Sequence, residues 1–336
     1  MKKVFVFCAL MFLTILTGCE KNNNVVSSLT KKIETSKSYT LKGEMEIINN
    51  ETSYLYDVES YSMNGEMFKV NLKNKINNHE QILLKNKTGV YVLNPSLNKS
   101  FKFQSEWPYN NSQVYLLETL LNDIKTDKER KIEQSNKDYI ITVKTNYTNN
   151  PELTNQKIYV NNKNEIYKVE VLDKNSQPKI IMKFSEINMK ASLNESNFEL
   201  EKNMVTSSET IETSSTIKDI TYPMYLPENT NLSSQDTVKT SNGERIILTF
   251  SGDNNLTIIE QTTKVNKEYE IVNVEGDPIM LGDSIGSISD GVVTWISNGI
   301  EYYATSNDLE NDELATVARS ISNIALTKSV NKTIEK

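Results

Sequence analysis

Cysteine and histidine, the residues best suited to nucleophilic or zinc chemistry, are scarce: there are two cysteines and one histidine among 336 residues. His79 lies in the polar run Lys75–Glu80, which predicts a surface loop or turn. One histidine cannot supply a His-rich zinc site, and no nucleophile lies beside it in the sequence. The composition therefore favours a chain without catalytic or metal chemistry and without a cofactor.

Cys19 lies in a different context, directly after an apolar segment at the N-terminus. Lys2 and Lys3 precede a thirteen-residue apolar core, Val4 to Leu16, and Thr17-Gly18 leads into Cys19. The core is too short for a stable membrane-spanning helix but suits a signal peptide. A small residue followed by cysteine at this point is typical of a bacterial lipobox, in which the thiol receives a diacylglyceryl group and cleavage makes Cys19 the new N-terminus. The sequence thus predicts lipid attachment to the outer face of the cytoplasmic membrane.

This interpretation removes thiol chemistry from the mature chain. Cys8 lies in the discarded segment and Cys19 is acylated, so neither a disulfide nor a thiolate nucleophile remains. Loss of Lys2 and Lys3 takes the formal net charge from −7 to −9. An acidic chain has no basic surface for nucleic acid, so nucleic acid is excluded as a partner.

Carboxylates are abundant, but their spacing matches no known site. Glu310 to Glu313 lies at a predicted helix N-terminus, where acidic residues favour the helix dipole. Glu275 to Pro278 and Ser251 to Asn255 lack the alternating oxygen ligands of a calcium loop and predict turns. No phosphate-binding glycine loop, nucleophile elbow or His-Glu-x-x-His motif is present.

Short strands separated by tight turns dominate the sequence up to about residue 190. Residues Tyr39 to Ile47 alternate apolar or small with polar side chains, as in a half-buried antiparallel strand. Similar alternation recurs around Phe68–Leu72, Ile82–Leu84, Tyr139–Val143, Ile158–Val160 and Ile180–Phe184. We expect a mainly β (α+β) fold with a large curved antiparallel sheet, or half-barrel.

One segment of this region has helical instead of alternating spacing. From Ser112 to Asp123 the apolar residues recur at helical intervals, which predicts an apolar helix packed into the sheet as a plug. The same residues could build either a dry core or the wall of a hydrophobic cavity. The candidate cavity residues are Leu41, Met45, Tyr91, Leu93, Val114, Leu117, Leu120 and Leu121.

A second, smaller domain is predicted after a serine- and threonine-rich connection. Strands are predicted at Arg245–Phe250 and Leu256–Gln261, and Asn298-Gly299 predicts a type I′ hairpin turn. A final helix, capped by Asn307 or Asp308, carries an apolar stripe from Leu314 to Ile324. The predicted organisation is 1–18 signal peptide, 19–28 lipidated tether, 29–203 first domain, 204–220 linker, 221–326 second domain and 327–336 tail, with a helix from Leu29 to Lys37.

Several segments resemble the LolA/LolB/RseB superfamily. Lys87–Lys99, with its Tyr-x-x-x-Pro turn, resembles a strand pair of that fold, and Leu193–Leu200 resembles its usual ending. The Tyr222–Pro227 segment, the Trp295–Tyr302 hairpin and Glu313–Ala318 resemble the C-terminal domain of RseB-like proteins. With the Asn-, Lys- and Ile-rich composition, the resemblance is nearest to two-domain sporulation or germination lipoproteins of spore-forming Gram-positive bacteria.

The resemblance implies a non-catalytic module, and three functions remain open. The first is a membrane-anchored binding partner or scaffold for an envelope protein, as in cortex or cell-wall processing. The second is a carrier that holds an acyl lipid or lipoprotein in the half-barrel, and the third is an RseB-like regulator of an anti-sigma factor. Permanent lipidation and an extra domain make a soluble shuttle the less favoured interpretation.

Overall fold

A computed structural model describes residues 18–49, 52–205, 216–241, 243–265 and 268–321, with side chains from Asn24 onward. The predicted signal peptide before Gly18, most of the predicted linker, Ile324 and the predicted tail lie outside the described residues. The chain divides into two compact units. Unit 1 comprises the residues up to Glu209 together with Tyr269–Asn273, and unit 2 comprises Thr210–Glu268 and the residues from Val274.

Unit 1 is built on a twelve-stranded sheet. The strands are β1 Ser38–Asn49, β2 Thr52–Met63, β3 Met67–Asn74, β4 Glu80–Asn86, β5 Gly89–Asn94, β6 Lys99–Phe103, β7 Lys131–Ser135, β8 Asp138–Lys144, β9 Leu153–Val160, β10 Ile166–Asp173, β11 Pro178–Asn188 and β15 Glu270–Val274. Their order is β15-β6-β5-β4-β3-β2-β1-β11-β10-β9-β8-β7. The pairs from β6 through to β7 are antiparallel.

Three helices and two 3₁₀ turns accompany this sheet. They are α1 Gly18–Glu34, α2 Leu117–Thr126 and α3 Leu200–Met204, with 3₁₀ turns at Pro95–Leu97 and Glu195–Phe198. Helix α2 buries Leu117, Leu120, Leu121 and Ile124, which confirms an apolar helix packed on the sheet.

Both predicted helices of unit 1 have different bounds in the structure. The plug helix begins at Leu117 instead of Ser112, because the Ser112 backbone N–H donates to the Asn146 carbonyl and its hydroxyl to Asp123. Helix α1 begins at Gly18, not at Leu29, so the backbone of residues 18–28 is helical instead of an irregular tether. Val25, Leu29 and Ile33 explain this, since their four-residue spacing makes one buried stripe.

Unit 2 contains a seven-stranded antiparallel sheet and one helix. The strands are β12 Thr230–Thr240, β13 Gly243–Gly252, β14 Leu256–Thr262, β16 Asp277–Leu281, β17 Ser284–Ser289, β18 Val292–Ser297 and β19 Ile300–Thr305. Their order is β12-β13-β14-β19-β18-β17-β16. Helix α4, Asn311–Ser320, packs against β16 to β19 through Leu314, Ala315, Val317 and Ala318. The mainly β fold class is confirmed, including the smaller sheet closed by a helix.

Two local predictions for unit 2 have different outcomes. The Asn298-Gly299 turn is confirmed, with φ values of 49° and 77°, and it aligns Trp295 with Tyr302 so that their rings stack at 4.9 Å. The predicted cap of α4 is wrong: Glu310 is the N-cap residue, without a side-chain cap. Asp308 instead accepts two hydrogen bonds from Asn255, both at 2.8 Å, which commits its carboxylate to the β13–β14 turn.

Candidate functional site: a cleft beneath the N-terminal helix

Helix α1 covers part of unit 1 through a narrow apolar stripe. Val25 and Leu29 are each 2% exposed and Ile33 is 7% exposed. The helix packs against α2 and β7. Near its C-terminal end, Lys32 pairs with Glu165 at 3.4 Å, and Lys125 of α2 pairs with Glu34. The stripe and these two ion pairs position α1 over the sheet.

The start of α2 is held by a buried tyrosine from the first strand. The Tyr39 hydroxyl donates to Glu118 Oε2 at 2.5 Å and accepts from the Leu117 backbone N–H at 3.0 Å. The Ser62 hydroxyl donates to the other carboxylate oxygen, also at 2.5 Å. Burial, followed by the Glu118 charge, raises the pKa of Tyr39 well above its usual value. Tyr39 thus supplies a cap that Leu116, the N-cap residue of α2, cannot provide.

A buried carboxyl lies nearer the C-terminal end of α2. Asp123 Oδ2 accepts from the Ser112 hydroxyl at 2.8 Å and from Gln156 Nε2 at 2.7 Å. Burial raises the pKa of Asp123 to about 6, against the opposing effect of these two donors. The three side chains connect α2, the loop before it and strand β9. This network orients the helix, and none of its members is an activated nucleophile.

Between α1, α2, the β9–β10 turn and β11 lies a cleft of about 270 Å³. Its apolar lining consists of Leu29, Ile33, Leu117, Ile166, Tyr167, Phe184, Ile187 and Met189. Its polar lining consists of Lys32, Asn161, Asn164, Glu165, Ser185 and Glu186. An apolar lining with a few polar groups is typical of a site that binds an amphipathic ligand or a protruding side chain.

The shape of the cleft depends on a β-bulge in β11. Lys42 pairs with Glu186 and Gly43 with Phe184, so Ser185 is the extra residue, and its hydroxyl donates to the Lys42 carbonyl at 3.2 Å. Gly43 permits this close approach, because a Cβ atom there would lie 2.2 Å from the Lys183 carbonyl oxygen. Bulges bend a strand and redirect its side chains. Here the bulge places Phe184, Ser185 and Ile187 all along one cleft wall.

Electrostatics at the rim centre on Glu165. Asn161 Nδ2 donates to Glu165 Oε2 at 3.1 Å, and Lys32 Nζ lies 3.4 Å from Oε1. The Asn161 amide, and then the Lys32 charge, lower the pKa of Glu165. The rim therefore presents an anionic carboxylate, already partnered, beside an apolar wall.

The eight predicted cavity residues are all buried, but they do not line one cavity. Cross-strand neighbours share a face of a sheet, and from β1 to β5 the register runs Leu41, Ser60, Val70, Leu83 and Val92. Because successive residues alternate, Tyr91 and Leu93 lie on the opposite face. They pack in a cluster with Phe198, Leu200 and Met204.

The prediction that Tyr91 and Leu93 line one cavity together with the plug helix is therefore wrong. Leu41 and Met45 lie on the face of β1 that carries Tyr39, and Val114, Leu120 and Leu121 are buried. Of the eight, Leu117 alone lines the cleft.

The prediction for His79 is also wrong, since the side chain is 7% exposed. Burial lowers its pKa to about 4, so the imidazole is neutral, and no hydrogen-bond partner for Nε2 occurs among the described residues. His79 precedes β4 and adjoins the buried pair in which Gln81 Nε2 donates to Asn94 Oδ1 at 2.9 Å. The predicted loop is present and residues 75–78 are exposed, so only the predicted exposure of His79 itself is wrong.

Sequence reasoning missed most residues of the cleft. The alternation Ile180, Met182, Phe184 changes phase at Ile187 and Met189, and this phase change is the sequence signal of the bulge. Asn161 and Asn164 lie in the β9–β10 turn, which is distant in sequence from α1, so no local pattern connects them with the cleft. Within the described ranges, no cluster of three metal-ligating side chains occurs, and no helix is long and apolar enough to span a membrane.

Comparison with known proteins gives a clear family. The family described as "Sporulation protein YdcC-like" matches residues 1–198. The chain is also 33% identical to the sporulation protein YdcC of Bacillus subtilis (strain 168) over 324 residues, which is 95% of this chain and 96% of that protein. The chain belongs to the YdcC-like sporulation protein family. The predicted relation to sporulation proteins is thereby confirmed.

The comparison with solved structures also finds chains similar to this YdcC-like protein. It is similar to a chain of the Pseudomonas aeruginosa MucA/MucB complex, with 11% identity, a TM-score of 0.34, and coverage of 88% of this chain and 98% of that chain. It is also similar to the LolA superfamily protein NE2245 of Nitrosomonas europaea, with 13% identity, a TM-score of 0.32, and coverage of 53% and 98%.

Proposed function

We propose that this YdcC-like protein is a non-catalytic lipoprotein, anchored outside the cytoplasmic membrane by Cys19, that binds or scaffolds another envelope protein during sporulation or germination. The relation to a sporulation protein along nearly the whole chain supports the process. The Leu16–Cys19 lipobox supports the anchor. The bound partner would be a protein that takes part in cortex or cell-wall processing.

The observation that carries the binding role is the cleft beneath α1. It opens beside exposed residues, it combines an apolar floor with polar side chains, and its wall is fixed by the bulge at Ser185. The carboxylates of α2 have structural roles, since Glu118 and Asp123 hold the helix through hydrogen bonds. A rigid cleft next to a fixed helix suits recognition of a partner side chain.

The first experiment tests the anchor. Cys19→Ala and wild-type protein are expressed in the source cells, and membranes are separated from the medium and soluble fractions without detergent. Wild-type protein is expected in the membrane fraction, and Cys19→Ala in the soluble fractions. Ser27→Ala, eight residues along the same helix, is the matched control and stays with the membrane. Tight membrane retention of Cys19→Ala would contradict the proposal.

The second experiment tests the cleft. Ser185→Trp fills it, whereas Ser135→Trp adds the same side chain to the exposed strand β7. Tagged proteins are captured from cross-linked membranes of sporulating cells, and partners are identified by mass spectrometry. A partner retained by wild type and Ser135→Trp but lost with Ser185→Trp supports the proposal. Equal capture by all three places the interaction elsewhere. A transmembrane regulator as the captured partner would favour the anti-sigma role.

A second candidate function is a carrier for an acyl lipid, and the apolar floor formed by Leu117, Phe184 and Ile187 favours it. Lipid extraction of the purified protein followed by mass spectrometry tests this directly. A stoichiometric acyl species in addition to the Cys19 modification, absent from Ser185→Trp, supports the carrier. Its absence from wild type rejects the carrier and leaves the protein-binding role.

A further inference from the structure

The backbone between the acylation position and the folded body is helical. Helix α1 begins at Gly18, one residue before Cys19, and continues without interruption to Glu34. Among the side chains that the structure describes in this helix, from Asn24 onward, Val25 is the first buried one. At 1.5 Å per residue, Cys19 lies only about 9 Å along the helix axis from Val25.

From Val25 to Glu34 the helix is fixed to the rest of unit 1. Val25, Leu29 and Ile33 form three successive buried contacts, one per turn, and Lys32 and Glu34 add ion pairs at the end of the helix. Because α-helices of this length bend only gently, a helix held at several points fixes the position of its N-terminus relative to unit 1. An extended coil over residues 19–28 would instead reach up to about 33 Å.

We propose that α1 acts as a rigid spacer that seats unit 1 directly against the surface of the phospholipid bilayer. This inference rests on the proposed acylation of Cys19. The acyl chains enter the bilayer, Cys19 lies at the headgroups, and the body begins within two helical turns. The protein therefore acts on partners at the membrane surface, and no flexible linker lets it bind partners farther from the membrane.

Unit 1 contacts the bilayer because the acyl anchor and the short helix hold it there, and not because its surface attracts lipid headgroups. The mature chain has a formal net charge of −9, since −7 for the full chain loses Lys2 and Lys3. Such a chain gains nothing from anionic headgroups, for which binding requires clustered basic residues. The seating of unit 1 is therefore expected to be the same on zwitterionic and anionic vesicles and insensitive to salt.

The test uses energy transfer from one labelled position to acceptor dyes on headgroups. Acylated Ser27→Cys protein carries a single free thiol, because Cys8 is removed and Cys19 is modified. It is reconstituted in phosphatidylcholine vesicles that contain acceptor-labelled lipid. A second protein carries in addition a ten-residue Gly/Ser insertion between Glu20 and Lys21, which adds a root-mean-square span of about 17 Å. The insertion precedes the buried Val25 and Ser27 is exposed, so the fold is expected to be retained.

Transfer in the protein without the insertion is expected to exceed that in the insertion variant by roughly twofold or more, because of this added span. A matched insertion of two Glu-Ala-Ala-Ala-Lys units also lowers transfer, since it lengthens the spacer by about 15 Å. Equal transfer with and without the Gly/Ser insertion would overturn the rigid spacer while leaving the anchor intact. Failure of the acylated protein to float with vesicles would overturn the anchor, and with it this inference.

Discussion

The Tyr39 hydroxyl on β1 donates a hydrogen bond of 2.5 Å to the Glu118 carboxylate on α2. The same hydroxyl accepts from the Leu117 backbone N–H at 3.0 Å, so one oxygen serves two groups at the start of the helix. Tyr39 is 2% exposed, and Glu118 is half-buried. The first strand thus caps the start of the plug helix through residues that are 78 positions apart in the sequence.

Tyr39→Phe is expected to lower the free energy of unfolding by about 1–3 kcal/mol, because it leaves a buried N–H and a carboxylate oxygen without their partner. Urea denaturation followed by circular dichroism measures the change. Tyr159→Phe is the control, since its hydroxyl bonds to Glu170 at a half-buried position and its loss is expected to cost less. Equal losses for the two variants would contradict the capping role of Tyr39.

Asp123→Asn is expected to change how stability depends on pH. Burial raises the pKa of Asp123 to about 6, above that of an unfolded aspartate. A raised carboxyl pKa means that the folded state binds the proton more tightly, so the stabilisation is present below about pH 4 and is lost as pH rises through about 6. The loss at Asp123 amounts to up to about 3 kcal/mol.

Denaturation at pH 4.5 and at pH 7.5 tests this prediction. The fall in unfolding free energy between these values is expected to be smaller in Asp123→Asn than in wild type. Asp173→Asn is the control, since hydrogen bonds from the Gln177 and Asn175 backbone lower the pKa of Asp173 below the tested range. An unchanged slope in Asp123→Asn would refute the assignment.

Gly43→Ala is expected to destabilise unit 1 by about 1–3 kcal/mol, as overpacking does in a tightly packed interior. The added methyl group would lie 2.2 Å from the Lys183 carbonyl oxygen, so β1 and β11 must separate at the bulge. Thermal unfolding measures the loss, and partner capture reports on the adjacent cleft. If Gly43→Ala were as stable as wild type, the backbone at the bulge could shift to accommodate the methyl group, which would contradict the prediction.

Leu29→Ala and Lys32→Ala separate the contributions that hold α1. Leu29 is 2% exposed, and its truncation is expected to cost about 2–5 kcal/mol through lost burial and a residual cavity. The Lys32 and Glu165 side chains are 37% and 48% exposed, so loss of this ion pair is expected to cost less than about 1 kcal/mol. The two variants are compared by urea denaturation, and a larger loss for Lys32→Ala would reverse the interpretation.

The sequence predicted several strands, including β4 from the alternation around Ile82–Leu84, and the alternation was clearest where one face of a strand meets solvent. Tyr39 to Ile47 alternates cleanly and lies within β1, and Asn298-Gly299 forms the expected turn. In β4, by contrast, Gln81, Ile82, Leu83 and Leu84 are all buried. A strand that is buried on both faces loses the alternation of apolar and polar residues. Its sequence then does not indicate which face packs against the helix.

The candidate site was less predictable than the fold because it depends on distant pairings. The cleft joins α1 to the β9–β10 turn and to a bulged strand, and Lys32 and Glu165 are 133 positions apart. Leu117 was found because it belongs to a local helical stripe. Tyr91 and Leu93 were misassigned because alternation fixes relative faces within one strand but not the face shared with another element.

Strand β15 has a consequence for the order of assembly during synthesis. Residues Tyr269–Asn273 belong to unit 1, where Glu270 donates its N–H to the Asn98 carbonyl at 2.9 Å and β15 lies beside β6. The ribosome completes residue 209 about sixty residues before it supplies this strand. Until then the growing chain carries an open strand edge, the kind of surface that recruits chaperones or wrong partners. A fragment that stops at residue 209 keeps that edge permanently.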